Sequence, residues 1–151
     1  MTGINNLSIL TVIFIIYSFF LLHMNFISPQ LKIKALKNPE TEQKCLYFRF
    51  TGKFTEETSK AGSKAWTDYL REHPGENVEF VWDCKDMTGF EISARKEWYN
   101  AMQGFKKRIV KTYVISDQIM IRSAAKVMLS FFGIPSEIGR SGMLLPKGIS
   151  L

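Results

Sequence analysis

Residues 31–36 alternate apolar and basic side chains, with Leu31, Ile33 and Ala35 on one side and Lys32 and Lys34 on the other. That two-residue period predicts a strand with one wet face. Asn38-Pro39-Glu40 breaks the pattern with a turn. In residues 45–51, CLYFRFT, the side chains of Leu46, Phe48 and Phe50 then share one face, and Gly52 ends the run. Together the two runs predict an antiparallel hairpin.

The period then lengthens. Over residues 55–73, Ala61, Ala65, Trp66, Tyr69 and Leu70 recur at helical spacing until Pro74-Gly75. Residues 78–83, VEFVWD, are apolar on both faces except for Glu79, which suits a central strand. A loop is expected over 84–92. A second helix over 94–107 carries Ala94, Trp98, Ala101, Met102 and Phe105 on one stripe. Residues 109–116, IVKTYVIS, read as the next strand. A third helix over 118–132 stops at Gly133 with Pro135 beyond. Residues 136–140 form a last short strand, and 141–151 an irregular tail. The order ββαβαβα(β) describes one α/β domain over 31–140, a mixed sheet with helices packed on it.

The third helix is too apolar for a surface helix. Ile121, Ala124, Ala125, Met128 and Phe132 account for packing on the sheet. Met120, Val127 and Phe131 form a second stripe turned away from it, with Leu129 between the two. Three roles are open to that second stripe: burial under Met143, Leu144 and Leu145 of the tail, a homodimer or partner interface, or contact with lipid.

Composition changes the picture at the N-terminus. Residues 1–30 contain no Lys, Arg, Asp or Glu, and the apolar run extends over 4–27. Such a run is long enough to cross a bilayer. With Lys32, Lys34 and Lys37 after it, the positive-inside rule would hold the domain in the cytoplasm, tethered to the inner face of the membrane. The competing reading is that the natural start is Met24, with the upstream residues foreign to the protein.

The net charge of +6 favours acidic partners or an anionic membrane surface. No nucleic-acid motif accompanies it, so no nucleic-acid partner is expected. Cys45 and Cys84 lack CxxC spacing and sit in apolar runs, as buried reduced thiols do. His23 and His73 have no companions at metal-ligand or triad spacing, and no Gly-rich phosphate loop occurs. No cofactor, metal or enzymatic activity is expected. Asp83, at the end of the expected central strand, stands where α/β sheets place ligand groups. Asp86 and Glu91 in the following loop would join it in an acidic cluster. Ser93 precedes the second helix, where its hydroxyl can cap the free backbone N–H groups. Lys106, Lys107, Arg108 and Lys111 gather at the end of that helix, where cations suit the dipole.

The runs YFRFTGKFTEET, VEFVWDCKDMTGFEISARKEW, IVKTYVISD and IRSAAKVMLSFFGIPSEI resemble STAS domains, in particular the SpoIIAA-like branch that is also compared with the CRAL-TRIO lipid-binding fold. The resemblance covers residues 31–140. It implies a non-enzymatic cytoplasmic module that binds a regulatory protein partner and is switched by phosphorylation. The stretch Glu91-Ile92-Ser93-Ala94 corresponds to the phosphorylated segment, although Ile92 stands where a second hydroxyl residue is expected. Thr88, beside Gly89, is the other candidate. The CRAL-TRIO side of the comparison implies instead a lipid or other small apolar ligand, held in a cavity between the third helix and the sheet.

Overall fold

The computed structural model describes residues 6–21 and 24–142, with side chains over 8–16 and 24–142. An apolar helix, α1 (Asn6–Leu21), precedes a six-stranded sheet and three helices. The strands are β1 (Asn25–Ile27), β2 (Leu31–Lys37), β3 (Lys44–Phe54), β4 (Val78–Phe90), β5 (Ile109–Ile115) and β6 (Ser136–Gly139). Between them run α2 (Glu56–Glu72), α3 (Ile92–Phe105) and α4 (Ile119–Phe132).

The strands lie side by side in chain order. The β1–β2 and β2–β3 pairs are antiparallel, while β3 through β6 are parallel. When each parallel strand is laid beside the last, every right-handed crossover returns over the same face. The buried residues of α2, α3 and α4 accordingly join one core with Phe48, Phe80, Trp82 and Val114 of the sheet. Trp98 of α3 sits at its centre, with ring centroids 5.5 Å from Phe48, 5.7 Å from Phe50, 5.5 Å from Phe54 and 5.9 Å from Trp66. The opposite face of the sheet carries a separate cluster of Cys45, Tyr47, Val81, Tyr113 and Ile115.

Local chemistry explains the boundaries. Ser28 closes the β1–β2 hairpin, its Oγ accepting from Leu31 N at 3.0 Å. Thr55 caps α2, accepting from Thr58 N at 3.3 Å. Arg108 binds the carbonyl oxygens of Leu70, His73 and Glu76, which satisfies acceptors left free at the end of α2. Gly133 ends α4 in the left-handed region at φ 66°, donating to Leu129 and Ser130 carbonyls. Gly62 lets α2 approach β2 closely, since a Cβ there would lie 2.4 Å from Leu31 Cδ2.

Several expectations are corrected. The loop expected over 84–92 is strand as far as Phe90. Register shifts between Arg49/Thr51 and between Gly52/Lys53 show the cause: β4 inserts an extra residue against β3 at each. Each bulge flips the alternation, so Trp82, Cys84, Met87 and Phe90 all meet the helix side despite their uneven spacing. The apolar N-terminal run does not continue to Ile27, because Asn25, Phe26 and Ile27 pair with Lys34, Ile33 and Lys32 as β1. Among the described residues no helix is long and apolar enough to cross a membrane. At a rise of about 1.5 Å per residue, the 16 described residues of α1 span less than a hydrocarbon core roughly 30 Å thick. Leu129 is fully buried, in the core and not between two stripes. The proposed cover of Met143, Leu144 and Leu145 lies outside the described residues, as does His23.

Candidate functional site

Where α3 and α4 diverge over the sheet they leave an apolar cavity. Phe50 and Phe54 of β3, Trp82, Cys84, Met87 and Phe90 of β4, Trp98 of α3, and Ile121, Ala124, Ala125 and Met128 of α4 form its wall. About 70 Å³ is open to the centre of a water-sized group. The space has a packing origin: α4 presents two consecutive alanines where larger side chains would reach the indoles of Trp82 and Trp98. Arg95 is the one charged residue on the lining, and it is exposed. Burial pushes the Cys84 thiol up, which keeps it a neutral, inert part of the wall.

The outer stripe of α4 borders this cavity. Met120, Val127 and Phe131 are each at least 66% exposed, and Ile119 joins them. Ala124 lies in the same helical row as Met120, Val127 and Phe131, so the stripe and the cavity wall share a residue. Phe131 rests against Tyr99 of α3, with ring centroids 5.3 Å apart.

The expected acidic cluster does not assemble. Asp83 lies within β4 and is 1% exposed, on the face away from the helices. It accepts a hydrogen bond from the Tyr47 hydroxyl and another from Lys85 N at 3.2 Å, with Lys85 Nζ 3.6 Å away. Burial, and then Asp83 itself, push the Tyr47 phenol up. Asp86 is exposed and pairs with Arg49 at 2.9 Å. These two carboxylates therefore share a neighbourhood with Tyr47 and Arg49. Glu91 is directed elsewhere, its Oε2 accepting from Glu56 N at 2.9 Å at the start of α2. Among the described residues no group of three His, Cys, Asp or Glu side chains could hold a metal ion.

Ser93 is half-buried and inside α3, because the helix begins two residues earlier than expected and Glu91 occupies the capping position. Lys60 first, and Ser93 next, hold the Glu56 carboxyl below its usual range through hydrogen bonds. Thr88 is exposed at the second bulge of β4. Cys45 and Cys84 are free and buried in different clusters. His73 stacks on Tyr69 and contacts its carbonyl through Nδ1 at 2.8 Å. Of the basic group, Lys111 pairs with Glu137 and Arg108 is held by the α2 carbonyls. Sequence reasoning missed Arg95 and most of the cavity wall. The adjacent small residues Ala124 and Ala125, opposite a tryptophan-rich core, were the available signal.

This architecture, parallel strands wound in chain order with every crossover helix on one face, is the SpoIIAA-like fold. Among solved structures, the chain is similar to an uncharacterised DUF3478-family protein with a SpoIIAA-like fold from Shewanella loihica PV-4. The TM-score is 0.55 at 15% identity, over 76% of this chain and 90% of that one. A looser similarity, to the β subunit of P. aeruginosa geranyl-CoA carboxylase, has a TM-score of 0.43 at 12% identity, over 62% of this chain and 19% of that one. No family model matches the chain, and no curated protein does.

Proposed function

We propose that this SpoIIAA-like domain is a non-enzymatic binding module that takes a small apolar ligand between α3, α4 and the sheet. The observation that carries the reading is the cavity itself. A core of this composition ordinarily closes to near-crystalline density, and a space lined by aromatic and aliphatic groups stays dry until an apolar group fills it. The exposed stripe of α4 along its border supplies an apolar approach.

The test is thermal. A ligand that binds only the folded chain raises its melting temperature by mass action. A small apolar alcohol such as 1-hexanol should stabilise the protein saturably. Ala125→Leu, which fills the cavity, should abolish that gain without lowering the ligand-free melting temperature by more than a few degrees. Stabilisation that survives Ala125→Leu would place binding elsewhere.

A second reading is favoured by the position of Ser93 in the first turn of α3, partly open to solvent. A phosphate there would be drawn by the helix N-terminus but would face the carboxylates of Glu56 and Glu91. Phosphorylation would loosen the joint between the starts of α2 and α3 and change the surface offered to a regulatory protein partner.

A further inference from the structure

Resting on the ligand reading above, we infer that the ligand is a short-chain aliphatic monocarboxylate, bound tail-inward with its carboxylate on Arg95. Three observations converge on this chemistry.

The first is the isolation of Arg95. Arg49 pairs with Asp86, Arg71 with Asp68, Arg108 with three carbonyls and Arg122 with the Ser116 carbonyl, while Arg140 is unpaired among the described residues but does not line the cavity. The Arg95 guanidinium has no hydrogen bond or ion pair to any described residue, and the apolar stem of the same side chain forms part of the cavity wall. A guanidinium offers a planar fork that matches a carboxylate, and a carboxylate is the one part of a simple amphiphile that an apolar cavity rejects.

The second is the local field. Arg95 stands in the first turn of α3, which contains no acidic residue, whereas the first turn of α2 carries Glu56 and Glu57. A helix start is the positive end of its dipole, so a cation there adds to the field instead of offsetting it. The nearest acids in sequence are Glu97, two residues on, and Glu91, whose carboxylate accepts from Glu56 N; neither forms an ion pair with Arg95. An anion seated beside Arg95 meets an unpaired guanidinium, and the carboxylates of Glu91 and Glu56 are committed to the junction with the start of α2.

The third is size. A water-sized group needs roughly 10–15 Å³ of such space. The 70 Å³ available therefore accommodates about five or six groups of that size, a hexanoyl chain and not a whole lipid.

The test compares hexanoate with 1-hexanol by isothermal titration of the full chain and of Arg95→Gln and Arg95→Lys, each first shown to melt like the parent. Hexanoate should bind the parent about tenfold more tightly than 1-hexanol. Arg95→Gln should remove that preference while leaving 1-hexanol unchanged, and Arg95→Lys should keep part of it. Equal binding of the two ligands, or a preference untouched by Arg95→Gln, overturns the carboxylate assignment and leaves the cavity reading standing. Binding of neither ligand overturns both.

Discussion

The carboxylate of Glu91 accepts a hydrogen bond from the backbone N–H of Glu56 at 2.9 Å, so the residue that introduces α3 also satisfies the start of α2. A second link, from Ser59 Oγ to the Ala94 carbonyl at 2.7 Å, ties the same two turns together. The wall of the cavity formed by α3 is thereby positioned from α2. Glu91→Ala should cost about 1 kcal/mol of stability, the usual worth of an N-terminal cap. Glu91→Gln, which keeps an acceptor oxygen, should cost less. Urea denaturation of the two variants reads the difference, and equal losses would show that the carboxyl oxygen is not what matters.

Replacing Ser93 with Asp sets a second carboxylate against Glu56 while placing a negative charge in the first turn of α3. These effects oppose each other at a partly exposed position. The melting temperature of Ser93→Asp should stay within a few degrees of the parent. If Ser93 controls partner binding, a partner captured by the parent from its native host should be lost or gained with the variant. Capture that is identical for both removes the switch.

Stability should fall in alkali. Burial, with a smaller push from Glu79, raises the Cys45 thiol from its ordinary value of 9.0 to about 12. The Cys84 thiol and the Tyr47 phenol are also raised, chiefly by burial. Because each folded-state value lies above the unfolded one, the stabilisation is complete below the unfolded value. It is lost as pH rises towards the folded value. For Cys45 alone the loss at about pH 10.5 is on the order of 2 kcal/mol. Urea midpoints measured at about pH 8 and pH 10.5 should therefore differ, and Cys45→Ala should show the smaller drop. An unchanged midpoint would mean that these groups ionise freely in the folded chain.

Phe131 is 66% exposed, and its ring lies against those of Tyr99 and Phe132. Phe131→Ser should change stability by less than about 1 kcal/mol, as surface substitutions do. Its larger effect should be on self-association or on binding to anionic vesicles, read by sedimentation and flotation. Loss of the folded monomer instead would assign Phe131 to the core.

Much of the fold was legible because regular elements leave regular patterns. The alternation of Leu31, Ile33 and Ala35 against lysines marks β2, and the stripe through Trp66 and Leu70 marks α2. The second half of β4 was illegible for a physical reason: bulges reset the alternation twice, so CKDMTGF shows no period although it is strand. That error propagated to the site. It placed Asp83 at a strand end when the residue is buried inside β4, and it read Cys84, Met87 and Phe90 as loop when they line the cavity. Helical geometry turned Met120, Val127 and Phe131 away from the sheet, with burial under the tail, an interface and lipid all left open, and the three side chains are exposed. The cavity beside them was not legible, because it depends on how side chains from β3, β4, α3 and α4 fail to meet, and no single stretch of sequence records that.

The most direct test of ligand binding between α3, α4 and the sheet is a methyl NMR titration of methionine-labelled protein with 1-hexanol. Met87 and Met128 line the cavity, Met102 is buried in the core outside its wall, and Met120 is on the exposed stripe. Saturable shifts are expected at Met87 and Met128, with Met102 and Met120 nearly still, and Ala125→Leu should abolish them. Shifts confined to Met120, or linear shifts at all four methyls, would contradict the account.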